Sequence, residues 1–198
     1  VEYPQGWLIT RLELTGQKQA EWRTDPIRCG VSGAIGDIGS HAENLLSYVT
    51  GLEIKEICAD LSITIPGRLI DDDGNILLRF TNGAKGLFTA SQIATGQQNS
   101  LTLRVWGDKA GLEWRQETPQ FLRIVSNDKP DMILSPGMPY DCAAAAYHTR
   151  LPAGHPEAYI EAFANIYRNY TDTLRAKILG IEPNEIMLDF PGVYEGAR

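Results

Sequence analysis

Apolar and polar positions follow a period of two through the middle of the chain. Ile57, Ala59, Leu61, Ile63 and Ile65 alternate with Cys58, Asp60, Ser62 and Thr64, which predicts a half-buried strand. Ile76–Thr81 and Leu87–Ile93 read as the next two strands, and Asn82-Gly83 between them suits a tight hairpin. Leu101, Leu103 and Val105 alternate with Thr102, Arg104 and Trp106. Gly107–Gly111 then turns into Leu112–Arg115, and Phe121–Val125 adds one more strand. Near the start, Trp7–Glu13 alternates well enough for a first strand. Consecutive strands at this close spacing imply a largely antiparallel sheet, with one face for helices and the other for water or a partner.

Two stretches carry the helical period instead. Ile38, Ala42, Leu45, Leu46 and Val49 form one apolar stripe, and Thr50-Gly51 supplies its stop. Tyr159, Phe163, Ile166, Tyr167, Tyr170, Leu174 and Ile178 form a longer one that runs to Gly180, with a start at Gly154-His155-Pro156-Glu157. That aromatic stripe reads as core packing. Gln17–Arg28 is polar, with Trp22–Pro26 as a loop, and Asp71–Gly74 reads as a turn without the Glu that a calcium loop requires. Ser126–Gly154 is irregular, broken by Pro130, Pro136, Pro139 and Pro152, with one helical turn at Ala143–Ala146. The fold class is α+β: an open, predominantly antiparallel sheet with helices packed on one face, read as one domain over residues 1–198.

Composition narrows the function. A formal net charge of −7 with no Lys/Arg cluster argues against a nucleic-acid surface. Cys29, Cys58 and Cys142 are odd in number and scattered, which suits a reducing, cytoplasmic setting and neither a disulfide framework nor a zinc site. No apolar run reaches membrane-spanning length. Both ends look cut, so a fragment of a longer protein is expected.

The candidate chemistry gathers in Gly30–Gly51. Gly30, Gly33, Gly36 and Gly39 fall at three-residue intervals, and Asp37, His41, Asn44 and Tyr48 share a face of the helix that follows. A carboxylate one turn before an imidazole can set its tautomer and ready it for proton transfer. The structural alternative is that Asp37 caps the helix and His41 is an ordinary residue. His155 and Glu157, bordered by Arg150, form a second polar group, suited either to substrate hydrogen bonding or to helix capping. Trp22 and Arg23 suit stacking on and hydrogen-bonding a polyol, or pinning a loop. Tyr140, Asp141 and His148 stay unassigned. No metal set is placed. The glycines lack the GxGxxG spacing of a dinucleotide fingerprint.

Gly36-Asp37-Ile38-Gly39-Ser40-His41 resembles the D-x-G-x-H signature of the Gfo/Idh/MocA oxidoreductases, of the glucose–fructose oxidoreductase and inositol dehydrogenase type. Gln19–Pro26, Gly107–Trp114 and Arg150–Glu157 extend the resemblance over most of the chain. It implies the C-terminal, substrate-binding and oligomerising domain of an NAD(P)-dependent sugar, inositol or polyol dehydrogenase. His41 would be the catalytic acid/base, and Asp37 would bind substrate or orient His41. Trp22, Arg23, Arg150, His155 and Glu157 are weaker candidates for holding the polyol. The family's Glu-Lys-Pro motif and dinucleotide fingerprint belong to an N-terminal Rossmann domain, and neither is in this chain. NAD or NADP would therefore be held by the full-length protein, with none bound to this fragment. A homodimer or higher homo-oligomer through the sheet face is implied as well. Two other readings remain: a non-catalytic dimerisation or ligand-binding module, and a redox-neutral NAD-dependent epimerase or glycosidase.

Overall fold

The computed structural model describes residues 1–197. In chain order these form β1 (Glu2–Pro4), α1 (Lys18–Arg23), α2 (Pro26–Cys29), α3 (Ser40–Thr50), β2 (Ile54–Ser62), β3 (Asp73–Phe80), β4 (Lys85–Ser91), β5 (Thr102–Trp106), β6 (Gly111–Arg115), β7 (Leu122–Val125), β8 (Met132–Leu134), α4 (Ala143–His148), α5 (Tyr159–Ile178) and α6 (Val193–Ala197). The strands make one sheet of order β2-β3-β4-β1-β5-β6-β7-β8. The pairs β2–β3, β3–β4, β1–β5 and β5–β6 are antiparallel, while β1 and β4 run parallel. This is the open α+β architecture that the alternation predicts. By packing, the described residues fall into two compact units, residues 1–118 with 124–130, and residues 119–123 with the segment from 131 onward.

In the first unit the alternation sorts side chains as expected on β3, β4 and β5. It does not on β2, which spans Ile54–Ser62 rather than Ile57–Ile65 and leaves Ile57 and Leu61 exposed, because no helix among the described residues covers either of its faces. Leu78, Phe80, Phe88, Ala90, Leu103 and Tyr3 point to one face and are buried against Ile38, Ala42 and Leu46. Leu77, Leu87 and Trp106 alternate with them and are exposed. The hairpin forms at Asn82-Gly83, where Gly83 has φ +90° and the Asn82 side chain accepts from the Ala84 N–H at 3.0 Å. Gly51 closes α3 in the left-handed conformation, φ 64°. No helix among the described residues is long and apolar enough to cross a membrane.

Three further local expectations in the first unit need correction. Trp7–Glu13 is not a strand. Leu8 is buried and the carbonyls of Leu8 and Thr10 accept from Arg68 Nη2, so the segment is coiled around that guanidinium before a short 3-10 turn at Leu12–Leu14. The first strand is Glu2–Pro4 instead. The expected loop Trp22–Pro26 shrinks to Thr24-Asp25 between two short helices: α1 and α2 are capped, by Gln17 on the Ala20 N–H and by Asp25 on the Ile27 N–H. The expected turn at Asp71–Gly74 is instead the entry to β3, because Asp71 and Asp72 are buried acceptors. Asp72 takes the N–H groups of Thr64 and Ile65 and pairs with Arg68, whose side chain is nearly inaccessible.

In the second unit, α5 starts at Tyr159 rather than at Pro156. The Glu157 carboxylate is turned back onto the N–H groups of Arg150 and Leu151, which holds the preceding loop out of the helix. The aromatic stripe on α5 is not core. Tyr159, Phe163, Tyr167 and Tyr170 are exposed, and the buried positions are Asn169, Thr173 and Ala176. The buried face is tied by hydrogen bonds: Asn169 Nδ2 donates to His148 Nε2 and to the Asp189 carbonyl, both at 2.9 Å, and Thr173 Oγ1 donates to the Met187 carbonyl at 2.7 Å. His148 Nδ1 lies 3.0 Å from the Ala144 carbonyl, so that nitrogen carries the proton and Nε2 accepts. Tyr147 donates to Asp172 at 2.7 Å while Arg168 stacks 3.7 Å over its ring. The bond to Asp172, helped by desolvation, pushes the Tyr147 hydroxyl above its ordinary value.

Candidate active site

The helical run that carries Asp37 and His41 is not uniform. Ile35–Gly39 forms a π turn, in which the Ser40 N–H reaches back to the Ile35 carbonyl, and α3 proper begins at Ser40. The turn is anchored from outside the helix by Asp71. One Asp71 oxygen accepts from Ser32 Oγ and the Gly33 N–H, both at 2.8 Å, and the other accepts from the Ile35 N–H at 2.9 Å. Asp71 thus satisfies N–H groups that a helix start leaves without partners. The approach explains Gly33, since any side chain there would collide with the Asp71 backbone carbonyl.

Asp37 caps nothing with its side chain. Its Oδ2 accepts from Arg23 Nε and from Gln92 Nε2, each at 2.7 Å. Arg23 is fixed in turn: Nη1 donates to Gln19 Oε1 at 2.6 Å and its guanidinium lies 4.1 Å from the Trp22 ring centre. Trp22 donates to the same Gln19 oxygen at 3.1 Å. A cleft of about 350 Å³ opens here, with Trp22, Arg23, Cys29, Ser32, Gly36 and Asp37 among its walls. Burial, joined by the negative charges of Asp25, Asp37 and Asp71, pushes the Cys29 thiol above its ordinary value, so it lines the cleft as a neutral group.

The structure therefore brings Trp22, Arg23 and Asp37 together. His41 stands on the first turn of α3, exposed, outside the walls of that cleft and without a hydrogen bond to Asp37. The π turn separates the two: i, i+4 stacking holds in an α-helix, and the wider turn offsets it. Arg150, His155 and Glu157 belong to the second unit and form their own group. Besides the Glu157 contacts, Arg150 Nε donates to Asn165 at 2.8 Å, and His155 Nδ1 lies 3.0 Å from the Pro152 carbonyl. Gln92, Asp71 and Gln19 are the participants that sequence reasoning missed. Asp71 sits in the acidic triplet, which drew notice as a turn, while Gln92 carries no local signal at all.

Residues 2–113 match the model of the GFO/IDH/MocA C-terminal domain. The chain belongs to the Gfo/Idh/MocA family. An uncharacterized oxidoreductase of Bacillus subtilis, YfiI, is 30% identical over 99% of this chain and 50% of its own length. An oxidoreductase structure from Sinorhizobium meliloti is 36% identical with a TM-score of 0.82, covering 98% of this chain and 49% of that one. An inositol dehydrogenase homolog from Azotobacter vinelandii is 27% identical. It superposes with a TM-score of 0.91 in its NAD+ complex and 0.85 in its complex with NADH and myo-inositol, covering 98% of this chain and 50% and 49% of those chains. The chain thus spans about half the length of these family relatives, and they are oxidoreductases.

The glycine-rich stretch does not fit a dinucleotide cradle in this Gfo/Idh/MocA chain. It follows α2 rather than a strand, and its inward N–H groups are already taken by Asp71 and Ser32. Two of the glycines serve internal packing, Gly33 beneath Asp71 and Gly39 against the Phe88 ring.

Proposed function

We propose that this chain is the substrate-binding and catalytic half of an NAD(P)-dependent oxidoreductase acting on a sugar, inositol or related polyol. The observation that carries it is the Asp37 carboxylate. One oxygen is held by two donors, and the other has no partner among the described residues at the wall of a ligand-sized cleft. A free carboxylate oxygen on a fixed turn is suited to accept a polyol hydroxyl. The structures with bound NAD+, NADH and myo-inositol belong to a homologous protein and support the substrate and cofactor class. The dinucleotide, which supplies hydride chemistry, is assigned to the part of the protein outside this chain.

Within the chain, Asp37 binds and orients the substrate hydroxyl. His41, which makes no side-chain hydrogen bond among the described residues, takes the hydroxyl proton. Trp22 forms a wall of the cleft, and Arg23 acts through Asp37 as well as at the cleft surface. Arg150, His155 and Glu157 are retained as polyol-holding candidates of lower rank, since Glu157 and Arg150 already secure a loop. The exposed sheet face with Leu77, Leu87 and Trp106 supports a homodimer, which sedimentation would show.

In the full-length protein, H41A should lower turnover by about 10²-fold or more while leaving dinucleotide affinity unchanged. Unchanged turnover would remove His41 from the mechanism. In a calorimetric titration, residues 1–198 alone should show no NAD(P) binding, and measurable affinity would overturn the assignment of the cofactor to the missing half.

A further inference from the structure

Gln92 is the one member of the Asp37 cluster that solvent barely reaches, with 2% of its surface exposed. It lies just past the end of β4 and its backbone is held on both sides. Its N–H donates to the Asp72 carbonyl and its carbonyl accepts from the Leu8 N–H, both at 3.0 Å. Burying a long polar side chain is costly in desolvation and rotamer freedom unless its amide is used. Here the amide is used on Asp37, at 2.7 Å to Oδ2.

The choice of oxygen is what matters. An arginine gripping a carboxylate alone tends to bind two-pronged, one nitrogen to each oxygen, which would occupy both. Arg23 does not do so. Its Nη1 is directed to Gln19, and only Nε reaches Asp37, on the same Oδ2 that Gln92 binds. Two donors converging on one oxygen fix the rotation of the carboxyl group. Oδ1 is left without a partner among the described residues.

We infer that Gln92 is a positioning residue for polyol recognition, setting the rotation of the Asp37 carboxylate so that Oδ1 is offered to a substrate hydroxyl. The inference rests on the proposed function and adds to it a buried residue 55 positions away in sequence. Without Gln92, Arg23 can draw the carboxylate into the two-pronged pairing and withdraw Oδ1.

The test uses the full-length protein with its dinucleotide. The probe is whichever of myo-inositol, levoglucosan and D-glucose is turned over best. Q92M keeps the length and bulk of the side chain and removes the donor. It should raise the polyol KM about ten-fold, the loss expected for one hydrogen bond to a charged group, with kcat within about three-fold and dinucleotide KM unchanged. In a D37N background Q92M should add nothing. Q92N, which keeps an amide but falls short of Asp37, should also raise the polyol KM. An unchanged polyol KM in Q92M or Q92N overturns the inference, and so does a further ten-fold rise on top of D37N, which would mark a packing role. If D37N itself leaves turnover and polyol KM unchanged, the functional reading fails. A strong D37N effect with a silent Q92M sinks only the role of Gln92.

Discussion

α3 and α5 are both amphipathic, yet they turn opposite faces inward. α3 lays Ala42 and Leu46 on the sheet residues Leu78, Phe80 and Phe88, and leaves His41 and Tyr48 outside. α5 turns Asn169 and Thr173 inward, bonded to α4 and to the segment before α6, and leaves its tyrosines and Phe163 exposed. One helix is placed by apolar area, which is non-directional and strong. The other is placed by hydrogen bonds, which are directional and modest in net worth.

That contrast can be tested from its strongest consequence downward. Leu46→Ala removes a buried side chain under α3 and should cost about 2–4 kcal/mol in urea unfolding. A cost below about 1 kcal/mol would mean that α3 is not held by area. Asn169→Ala removes the hydrogen bonds that Asn169 Nδ2 donates to His148 and the Asp189 carbonyl and should cost about 1–3 kcal/mol, visible as a lower unfolding midpoint. If the loss matched that of Leu46→Ala, the two helices would be more alike than the contacts indicate.

A smaller effect concerns Glu13, which reaches Arg68 at 3.4 Å. Desolvation raises its pKa, but its own backbone N–H and the Arg68 guanidinium outweigh that and lower it below the ordinary value. The folded pKa is therefore the lower one. The contribution is complete above about pH 4.3 and fades as pH falls through the unfolded value toward the folded one. Glu13→Gln should flatten stability against pH in that acid window and nowhere else. Smallest of all, Tyr167→Ser on the exposed stripe of α5 should move stability by no more than about 0.5 kcal/mol. A large loss would show that the stripe is covered in solution.

What could be read in the sequence follows the same division. The sheet was legible because alternation reports which side of a strand faces apolar cover, as at Ile76, Leu78 and Phe80, and because Asn82-Gly83 has a narrow conformational use. The strand Glu2–Pro4 was not, being three residues long with a proline. Trp7–Glu13 imitated a strand because nothing local announces that Arg68 will claim its carbonyls. α5 was found as a helix, but its inward face was misassigned, since a sequence shows where apolar residues are and not what is present to cover them. At the site, Asp37 and His41 stood out through spacing, and Trp22 and Arg23 through their neighbouring block. Gln92 and Asp71 act across 55 and 36 to 39 residues respectively, by long-range hydrogen bonds that leave no periodic trace.

The π turn at Ile35–Gly39 has a consequence for how such a site can be gained or lost. It holds one residue more than the α-helical turn that would occupy the same ring, and each residue of a helix turns about 100°. Deleting a single residue between Ile35 and Asp37 would let the ladder close as plain α-helix, with every hydrophobic contact of α3 in place. Asp37, on the α3 side of the deletion, would keep its register, and the rotation of about 100° would fall on Ile35 and the residues before it. A one-codon deletion there should leave the carboxylate facing Gln92 while pulling Ser32 and Gly33 off Asp71.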